Sequence, residues 1–553
     1  MRAILFSVVL ATSLLVTGCG DGARPAERPT ETLRGLQLDA TRGGRPEILR
    51  WGPDPQRSVS WHHHSNRLIP VYAFGTRGGG DGLDLDTVGG ASSVYRARDA
   101  LAALYGRHPE RTLNARADYF DQTDIARIQR AGVAAGKRYL FLVVFDGMDW
   151  QTTRAASIYR TGEVRYDRGR GSGLHFQDYD ASGSSQFGFM VTSPANDRTA
   201  GDPGTQRVSD RGSGLYGGYD ASRGGAEPWD EGPEPAYVIA EDFSNPTRHA
   251  YTDSAAAATS MCSGIKTYSA AVNVDTAGRQ QLPIARELQQ RGFGVGVVTD
   301  VPISHATPAA AYANNVVRHD YQDLSRDMLG LPSIAHPRRA LAGLDVLIGC
   351  GAGVERATDA AQGDNYVPGN RYLASDDLRA IDEAGGGDYV VVVRERGTDA
   401  GRALEHGARR AAERGLRLFG FFGTTYAHLP YRTADGGHDP VEGQDGQAER
   451  YSAADLVENP TLAEMTAAAL VVLGSRAEGF WLMVEAGDVD WANHDANIDA
   501  AVGSVLSGDE AVRVITDWVE THSDWTESLL VVTADHGHYP VLVDPERFAS
   551  FRP

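Results

Sequence analysis

The chain has 553 residues and a formal net charge of -20, from 53 Lys and Arg residues against 73 Asp and Glu residues. This length is sufficient for a large buried core and allows more than one domain. The sequence contains no basic stripe, so nucleic acid is not expected as a partner, and an anionic substrate would need metal ions or a few local arginines.

The first 19 residues predict an export signal. Arg2 is followed by an apolar run, Ala3 to Val16, that is short for a membrane span. Cys19 directly follows a Thr-Gly pair, which resembles the lipobox of bacterial lipoproteins and implies cleavage before Cys19 and acylation of its thiol. A soluble secreted protein cleaved nearby is the alternative. A lipid on Cys19 would anchor the protein to the bacterial cell envelope, facing the periplasm or the exterior.

Residues 20–48 are rich in Arg, Pro, Gly and Thr and lack apolar periodicity, which predicts a flexible tether between lipid and body. The body is then expected to span residues 49–553 as one domain. The histidine cluster Trp61 to His64 is interpreted as a surface or loop feature rather than as a metal site.

From about residue 100 the sequence alternates between helical and strand patterns. Residues 121–137 predict a helix, and another helix is expected to start after Asn459-Pro460. Buried strands are predicted at 139–145, 295–299, 345–349, 389–393, 417–422, 480–485 and 528–533. This alternation indicates an α/β fold with a mostly parallel central sheet and helices on both faces.

Three stretches interrupt the alternation. Residues 162–235 are dense in Gly, Ser, Asp and Tyr and poor in aliphatic side chains, so we expect an ordered but irregular insertion there. Similar excursions are expected at about 353–385 and 424–458.

The cysteines Cys262 and Cys350 follow the export signal in the chain. Export permits a disulfide between them, and buried free thiols are the alternative. Their spacing does not decide between the two.

Acidic residues and histidines stand near the carboxyl ends of several predicted strands, where ligands collect in parallel sheets. Asp490 and His494 are four residues apart, which places both on one face of a helix. The strand-end residues are Asp146, Asp300, Glu485, Asp535 and His536. Carboxylates and imidazoles in this arrangement predict a site for divalent metal ions.

Ser254 begins a run of small residues that predicts a helix as far as Gly264. At a helix N-terminus, free backbone N–H groups and the helix dipole favour an anion. An ordinary helix cap is the alternative interpretation. Beside metal ions, however, a serine suits the hydrolysis of a phosphate ester, which needs an activated nucleophile and a stabilised leaving oxygen.

The order and local spacing of five motifs resemble the alkaline phosphatase family. They are Val144 to Met148, Thr252 to Thr259, His305 to Ala309, Val484 to His494 and Thr533 to His536. The resemblance covers residues 135–540 in outline. It implies an alkaline-phosphatase-like catalytic domain that hydrolyses phosphate monoesters with two Zn²⁺ ions and one Mg²⁺ ion. Family members are often dimers, so a homodimer is also expected.

The resemblance implies a role for each matching residue. Ser254 would be the nucleophile and form a phosphoserine intermediate. Arg318 would clamp the phosphate, since a planar guanidinium grips two oxygens at once, although a surface helix position is the alternative. The implied metal ligands are Asp490 and His494 for the first zinc; Asp146, Asp535 and His536, with Ser254, for the second; and Asp146, Thr307 and Glu485 for magnesium.

The sequence departs from the family at three places. His305 stands where some members have Asp, which can alter the preference for magnesium. Trp491 stands where basic or His residues occur in relatives, which removes a phosphate contact. The first zinc usually has another His well after the Asp-His pair, but only His538 follows His536. A catalytic zinc needs about three protein ligands; His538, His438 or a C-terminal truncation are the open explanations.

Two other functions are open from the sequence: a phosphodiesterase or sulfatase-like relative, and a non-catalytic phosphate-binding lipoprotein. The residues after Ser254 lack the Pro and Arg that sulfatases need for maturation. Arg318 argues against a diesterase. The incomplete ligand set of the first zinc keeps the non-catalytic alternative open.

Overall fold

The computed structural model describes residues 32–56, 64–210, 214–239 and 248–551. The predicted export signal, the lipidation residue Cys19 and the first part of the predicted tether lie outside the described residues.

Sixteen strands are found in the described part of the chain. They are β1 (Leu49–Trp51), β2 (Ile69–Phe74), β3 (Phe120–Asp121), β4 (Tyr139–Phe145), β5 (Gln186–Val191), β6 (Thr199–Asp202), β7 (Arg207–Asp210), β8 (Gly294–Pro302), β9 (Val346–Cys350), β10 (Glu355–Arg356), β11 (Gly369–Asn370), β12 (Tyr389–Val393), β13 (Arg417–Phe421), β14 (Phe480–Ala486), β15 (Ser528–Thr533) and β16 (Pro540–Leu542).

The described residues also form seventeen α-helices. They are α1 (Leu33–Thr41), α2 (Arg98–Tyr105), α3 (Asp124–Ala134), α4 (Trp150–Thr161), α5 (His175–Asp178), α6 (Ala221–Gly224), α7 (Ser254–Ser263), α8 (Ile284–Gln289), α9 (Ala306–Ala310), α10 (Tyr321–Leu329), α11 (Ser375–Ile381), α12 (Ala400–Arg414), α13 (Ala453–Val457), α14 (Leu462–Leu473), α15 (Asp488–His494), α16 (Ile498–His522) and α17 (Pro545–Phe548).

One ten-stranded sheet organises the molecule, in the order β12-β13-β9-β8-β14-β4-β15-β2-β5-β3. The first seven strands in this order are parallel to one another. Strand β2 is antiparallel to both of its neighbours. Two groups of helices pack around the sheet, one formed by α4, α12, α14 and α16 and the other by α3, α7, α8 and α9. The predicted α/β fold with a mostly parallel sheet is therefore confirmed.

All seven predicted strands are present, with ends that differ by a few residues at most. Most of their apolar side chains are buried, as expected for strands that are covered on both faces, and the exception is the edge strand β12, where Val393 is exposed. The predicted helix at 121–137 is the shorter α3. The helix expected after Asn459-Pro460 begins at Leu462, because Thr461 caps it and forms a reciprocal pair of hydrogen bonds with Glu464.

The predicted tether is wrong from residue 32 onward. Residues 33–41 form α1, which buries Leu33 and Leu36 and packs against α16. The Gln37 amide donates to the Ala496 carbonyl and accepts from the Ile498 N–H group. Composition alone did not reveal this short helix, because it contains few apolar residues. The segment is part of the folded body.

The irregular insertion predicted at 162–235 contains a strand of the main sheet. Strand β5 pairs with β2 on one side and with β3 on the other. The hairpin β6–β7 and several turns account for the rest of the segment that the structure describes. The Gly- and Ser-rich composition of the segment concealed β5, whose four apolar residues are interrupted by Gly188.

Two further features concern the environment of the chain. Residues 453–473 are long and apolar enough to cross a membrane, but 61% of their most apolar window is buried in the protein, as in the core helix of a soluble domain. Cys262 and Cys350 are both buried free thiols, so the disulfide alternative is not adopted.

Candidate active site

The carboxyl ends of β8, β14, β4 and β15 lie side by side because these four parallel strands are neighbours in the sheet. Polar residues that end or follow these strands converge there from four distant parts of the chain. Three groups of His, Asp and Glu side chains have ligand atoms within 4.8 Å of one another. Divalent cations are commonly held by such groups.

The first group surrounds the serine at the start of α7. It consists of Asp146, Asp535 and His536. The His536 Nε2 atom lies 3.2 Å from Asp146 Oδ1 and 3.5 Å from Asp535 Oδ2. The Ser254 hydroxyl oxygen is 3.3 Å from His536 Nε2 and 3.5 Å from Asp146 Oδ1. The serine is therefore in direct reach of a cation held by these three side chains.

The second group consists of Asp146, Glu485 and His305. The Thr307 hydroxyl is 3.5 Å from Asp146 Oδ2, so the predicted magnesium ligands Asp146, Thr307 and Glu485 converge. The Thr299 hydroxyl donates to Glu485 and fixes its carboxylate. Asp146 belongs to both groups and would bridge two cations.

The third group consists of His64, Asp490, His536 and His538. The His494 Nε2 atom lies 3.4 Å from Asp490 Oδ1 and 3.2 Å from His64 Nε2. His538 Nε2 is 2.8 Å from Asp490 Oδ1, at hydrogen-bond distance. The cluster Trp61 to His64 is predicted to be a surface or loop feature. His64 does lie in the loop before β2, but its side chain is largely buried among these possible ligands, and residues 61–63 lie outside the described residues.

His64 reaches the site because β2 runs antiparallel to β15. The amino-terminal end of β2 therefore lies beside the carboxyl end of β15, and His64 stands five residues before that end. Ser65 is held there by a backbone hydrogen bond from its N–H group to the Gly537 carbonyl and by its hydroxyl, which donates to the His538 carbonyl. These bonds place the loop before β2 against the loop that follows β15.

The other candidate for the missing ligand, His438, lies elsewhere. Its Nδ1 atom is 3.0 Å from the Tyr431 carbonyl oxygen, and the side chain lines a different cleft, of about 250 Å³. It belongs to none of the three groups among the described residues. The structure thus brings His538 and His64 to the site and leaves His438 outside it.

Arg318 is paired with Asp253, the residue that precedes the serine. Its Nη1 atom donates to Asp253 Oδ2 over 3.0 Å, and its Nη2 atom lies 3.2 Å from His305 Nε2. Asp253 also caps α7 by accepting from the Ala256 N–H group. Arg318 and Ser254 line the same cleft. Asp253 therefore aims the guanidinium toward the amino-terminal end of the serine helix.

The electrostatics of the cluster fit divalent cations. Burial, together with the charges of Asp490 and Glu485, raises the pKa of Asp146 well above its usual range. Burial and nearby carboxylates likewise raise the pKa of Asp535, and burial in particular raises the pKa of Glu485 to about 8. Buried oxygens of Glu485 and Asp535 have no hydrogen-bond partner among the described residues. Cations would relieve both conditions.

Asp490 behaves differently from the other carboxylates. Burial alone would raise its pKa, but the surrounding histidines, His494 and His538 first among them, hold the pKa of Asp490 well below its usual range. Burial also lowers the pKa of His64 well below 6.5, and that of His538 to about 3. Neutral imidazoles beside an ionised carboxylate are the protonation states that zinc binding requires.

The start of the helix that carries Asp490 and His494 is held by buried hydrogen bonds and an ion pair. Asp300 does not face the three groups; it accepts the N–H groups of Gly487 and Asp488 at the start of α15. The fully buried His428 ring has Nδ1 2.7 Å from Asp488 and Nε2 3.0 Å from Glu449. Burial opposes its charge, but the two carboxylates raise the pKa of His428 to about 10.

We expect His428→Gln to lower the free energy of unfolding by about 3 kcal/mol at pH 6, because two carboxylates lose a buried partner. The folded pKa is raised to about 10, so the contribution of the imidazolium is fully present below about pH 6.5 and is lost as the pH rises through 10. The melting temperatures of both proteins at pH 6 and pH 10.5 test this. A gap that does not narrow at the higher pH would contradict it.

A family model described as Alkaline phosphatase matches residues 235–546, more than half of the chain. Alkaline phosphatase H of Pseudomonas aeruginosa (strain UCBPP-PA14) is 30% identical over 314 residues, which are 54% of this chain and 60% of that protein. Alkaline phosphatase 4 of Bacillus subtilis (strain 168) is 26% identical over 285 residues, 52% of this chain and 49% of that protein.

Among solved structures, the Thermus thermophilus alkaline phosphatase aligns with a TM-score of 0.42 and 21% sequence identity, over 73% of this chain and 60% of that one. The match spans about half to three-fifths of the length of the two curated relatives named above. Asp146 and His64 both precede the residues that the family model matches.

The sheet and the side chains at its carboxyl edge define an α/β protein with a serine placed among groups that could hold metal ions. The chain belongs to the alkaline phosphatase family.

Proposed function

We propose that this protein hydrolyses phosphate monoesters through a phosphoserine intermediate on Ser254 and releases inorganic phosphate outside the cytoplasm. The observation that carries the proposal is the position of the Ser254 hydroxyl. It lies 3.3 Å from His536 Nε2 and 3.5 Å from Asp146 Oδ1, at the amino-terminal end of α7. A hydroxyl in this position can attack a phosphorus atom whose oxygens face the helix N–H groups.

Two Zn²⁺ ions and one Mg²⁺ ion are proposed as cofactors. Divalent cations in these positions would lower the pKa of the serine hydroxyl and neutralise charge on the phosphoryl and leaving oxygens. The proposed ligands are Asp490, His494 and His64 for the first zinc; Asp146, Asp535 and His536 for the second; and Asp146, Thr307 and Glu485 for magnesium. His538 would orient Asp490 through its hydrogen bond, as partners of metal ligands commonly do.

The residues of the chain carry the reaction in two steps. Ser254 Oγ forms a bond to phosphorus while the bond from phosphorus to the ester oxygen breaks, and the alcohol leaves with the proton that the serine hydroxyl gives up. The oxygen of a water molecule then bonds to phosphorus while the bond from Ser254 Oγ to phosphorus breaks; one water proton stays on the phosphate and the other returns to Ser254. Arg318 would hold two phosphoryl oxygens through both steps with its planar fork, and its ion pair with Asp253 keeps that fork in place.

The proposal is tested by turnover of a chromogenic monoester, diester and sulfate ester by the chain without residues 1–19, supplied with Zn²⁺ and Mg²⁺. We expect the monoester to be the fastest substrate, and faster turnover of the diester would contradict the proposal.

Arg318→Ala should raise KM for the monoester and the inhibition constant of phosphate by about tenfold or more, because a bidentate contact is lost. Arg318→Lys, which keeps the charge without the planar fork, should give a KM and an inhibition constant between those of the parent and those of Arg318→Ala.

The location of the enzyme is part of the proposal. The apolar run and Cys19 support a lipid-anchored protein of the bacterial cell envelope that faces the periplasm or the exterior. A homodimer stays a prediction of the family resemblance. Fractionation of cells tests the anchor, since a protein found entirely in the soluble fraction would contradict it.

A further inference from the structure

The cleft above Ser254 is much larger than a phosphoryl group requires. Its volume is about 800 Å³, and Ser254, His305 and Arg318 are among the residues that line it. Sites of this size commonly enclose most of a drug-sized organic molecule. The outer part of the cleft is therefore available to the alcohol that leaves after phosphoryl transfer.

Aromatic side chains form one wall of this outer part. Trp491, Tyr431 and Tyr426 line the cleft, and 39% of the surface of Tyr426 is exposed. The Trp491 ring meets the His305 ring edge-on at 5.8 Å between centroids, and His305 in turn lies 3.2 Å from the Arg318 guanidinium. Trp491, which the sequence analysis linked to a lost phosphate contact, thus puts an aromatic surface next to the proposed phosphate clamp.

The wall is held rigidly. Tyr431 and Trp491 pack in one cluster with Ala500 and Ala501, and the rings of both lie within 4.9 Å of the His428 ring, measured between centroids. The Glu449 carboxylate accepts a hydrogen bond from the Tyr451 hydroxyl and lies 3.0 Å from His428 Nε2. A preformed aromatic wall loses little entropy when a planar group stacks on it.

The charges that line the outer part have one sign. Asp445, Glu449 and Asp495 contribute carboxylates to the lining. Glu449 is already paired with His428 at 3.0 Å, and burial raises the pKa of Asp495 to about 7, so the exposed Asp445 is the carboxylate most available to a ligand. Arg318 is the one Lys or Arg residue among the described residues that line the cleft, and it already faces Asp253 at 3.0 Å. A second anionic group placed beside Asp445 would be repelled by it, whereas a cationic group would be attracted by this carboxylate and by the aromatic faces.

We propose that the cleft selects phosphate monoesters of aromatic alcohols that are neutral or cationic, and disfavours alcohols that carry a further negative charge. This inference rests on the proposed function. It assigns Trp491 and Asp445 as specificity-determining residues, the first for the ring of the leaving alcohol and the second for its charge.

The test measures binding, so it does not depend on turnover. The probes are three benzylphosphonates that differ only in a para aminomethyl, methyl or carboxymethyl group, titrated into the full-length protein supplied with Zn²⁺ and Mg²⁺. We expect Kd to rise from the first to the third by about tenfold in total, and the difference to shrink at high salt. Equal Kd values, or tighter binding of the carboxymethyl compound, would overturn the proposal.

Two variants assign the effect to residues. Asp445→Lys should remove or reverse the charge preference, while Asp364→Lys, a matched change at an exposed residue outside the cleft lining, should leave it unchanged. Trp491→Leu should reduce the preference for benzylphosphonate over methylphosphonate by about fivefold, with zinc content measured alongside. Unchanged preferences in both variants would overturn the assignment.

Turnover of phenyl phosphate by the same sample separates this inference from the proposed function. Selective binding without turnover would leave the cleft selectivity in place and remove the enzymatic proposal. Turnover without selective binding would leave the enzymatic proposal in place and remove the cleft selectivity. Absence of phosphonate binding would remove the cleft selectivity, and turnover of phenyl phosphate alone would then decide the proposed function.

Discussion

Replacing Ser254 with alanine is expected to reduce kcat for a phosphate monoester by about 10⁴-fold or more, because the attacking oxygen is removed while the metal ligands remain. The change deletes one buried oxygen at the first residue of α7 and leaves the Asp253 cap in place. Zinc content and melting temperature should therefore change little. Initial rates with a chromogenic monoester, at saturating substrate, measure the effect.

The matched control for this variant is Ser260→Ala in the same helix. The Ser260 hydroxyl donates to the Ala256 and Ile265 carbonyls and does not face the metal ligands. It should keep kcat within a few-fold of the parent. Mass spectrometry of acid-quenched protein should detect phosphate on Ser254 in the parent and in Ser260→Ala. Full turnover by Ser254→Ala, or phosphate on another residue, would refute Ser254 as the nucleophile.

The second large effect is expected at His64. In His64→Ala the first zinc should lose its third protein ligand, so its affinity should fall by about 10²-fold or more and kcat should fall with it at limiting zinc. Bound zinc per chain, measured after dialysis against a zinc buffer, should drop by about one ion in this variant. This measurement counts bound metal directly, so it does not depend on activity.

His438→Ala is the matched control, since His438 was the alternative source of this ligand in the sequence. It lies in a separate cleft and contacts the Tyr431 carbonyl. Its zinc content should equal that of the parent, and His538→Ala should lose less zinc than His64→Ala because His538 bonds to Asp490. Zinc loss in His438→Ala with none in His64→Ala would overturn the ligand assignment.

Much of the architecture was accessible from local sequence. The seven predicted strands are apolar runs of the kind that parallel sheets bury, and their ends identified the edge where Asp146, Glu485 and Asp535 gather. The spacing of Asp490 and His494 predicted their shared face on a helix. These features depend on a few consecutive residues and on one general property of parallel sheets, so a single sequence contains enough information.

The missed features depend on pairing between distant segments. A histidine before β2 faces the site only because β2 is antiparallel to β15, and nothing local fixes that direction. Even if Ile69–Phe74 were predicted as a strand, a parallel direction would place His64 at the opposite edge of the sheet, where the other strands begin. Strand β5 and helix α1 have the same limitation, since their partners β2 and α16 are remote in the chain.

Segments near the two ends of the described chain are paired with each other. Strand β1 pairs with β16, β2 pairs with β15, and the Thr533 hydroxyl donates to the Pro70 carbonyl 463 residues away. Closing so long a loop is slow compared with forming local contacts. His64 and His494 are 430 residues apart, so during synthesis they can meet only after this long intervening segment has been made. The gathering of these side chains is for this reason a late event in folding.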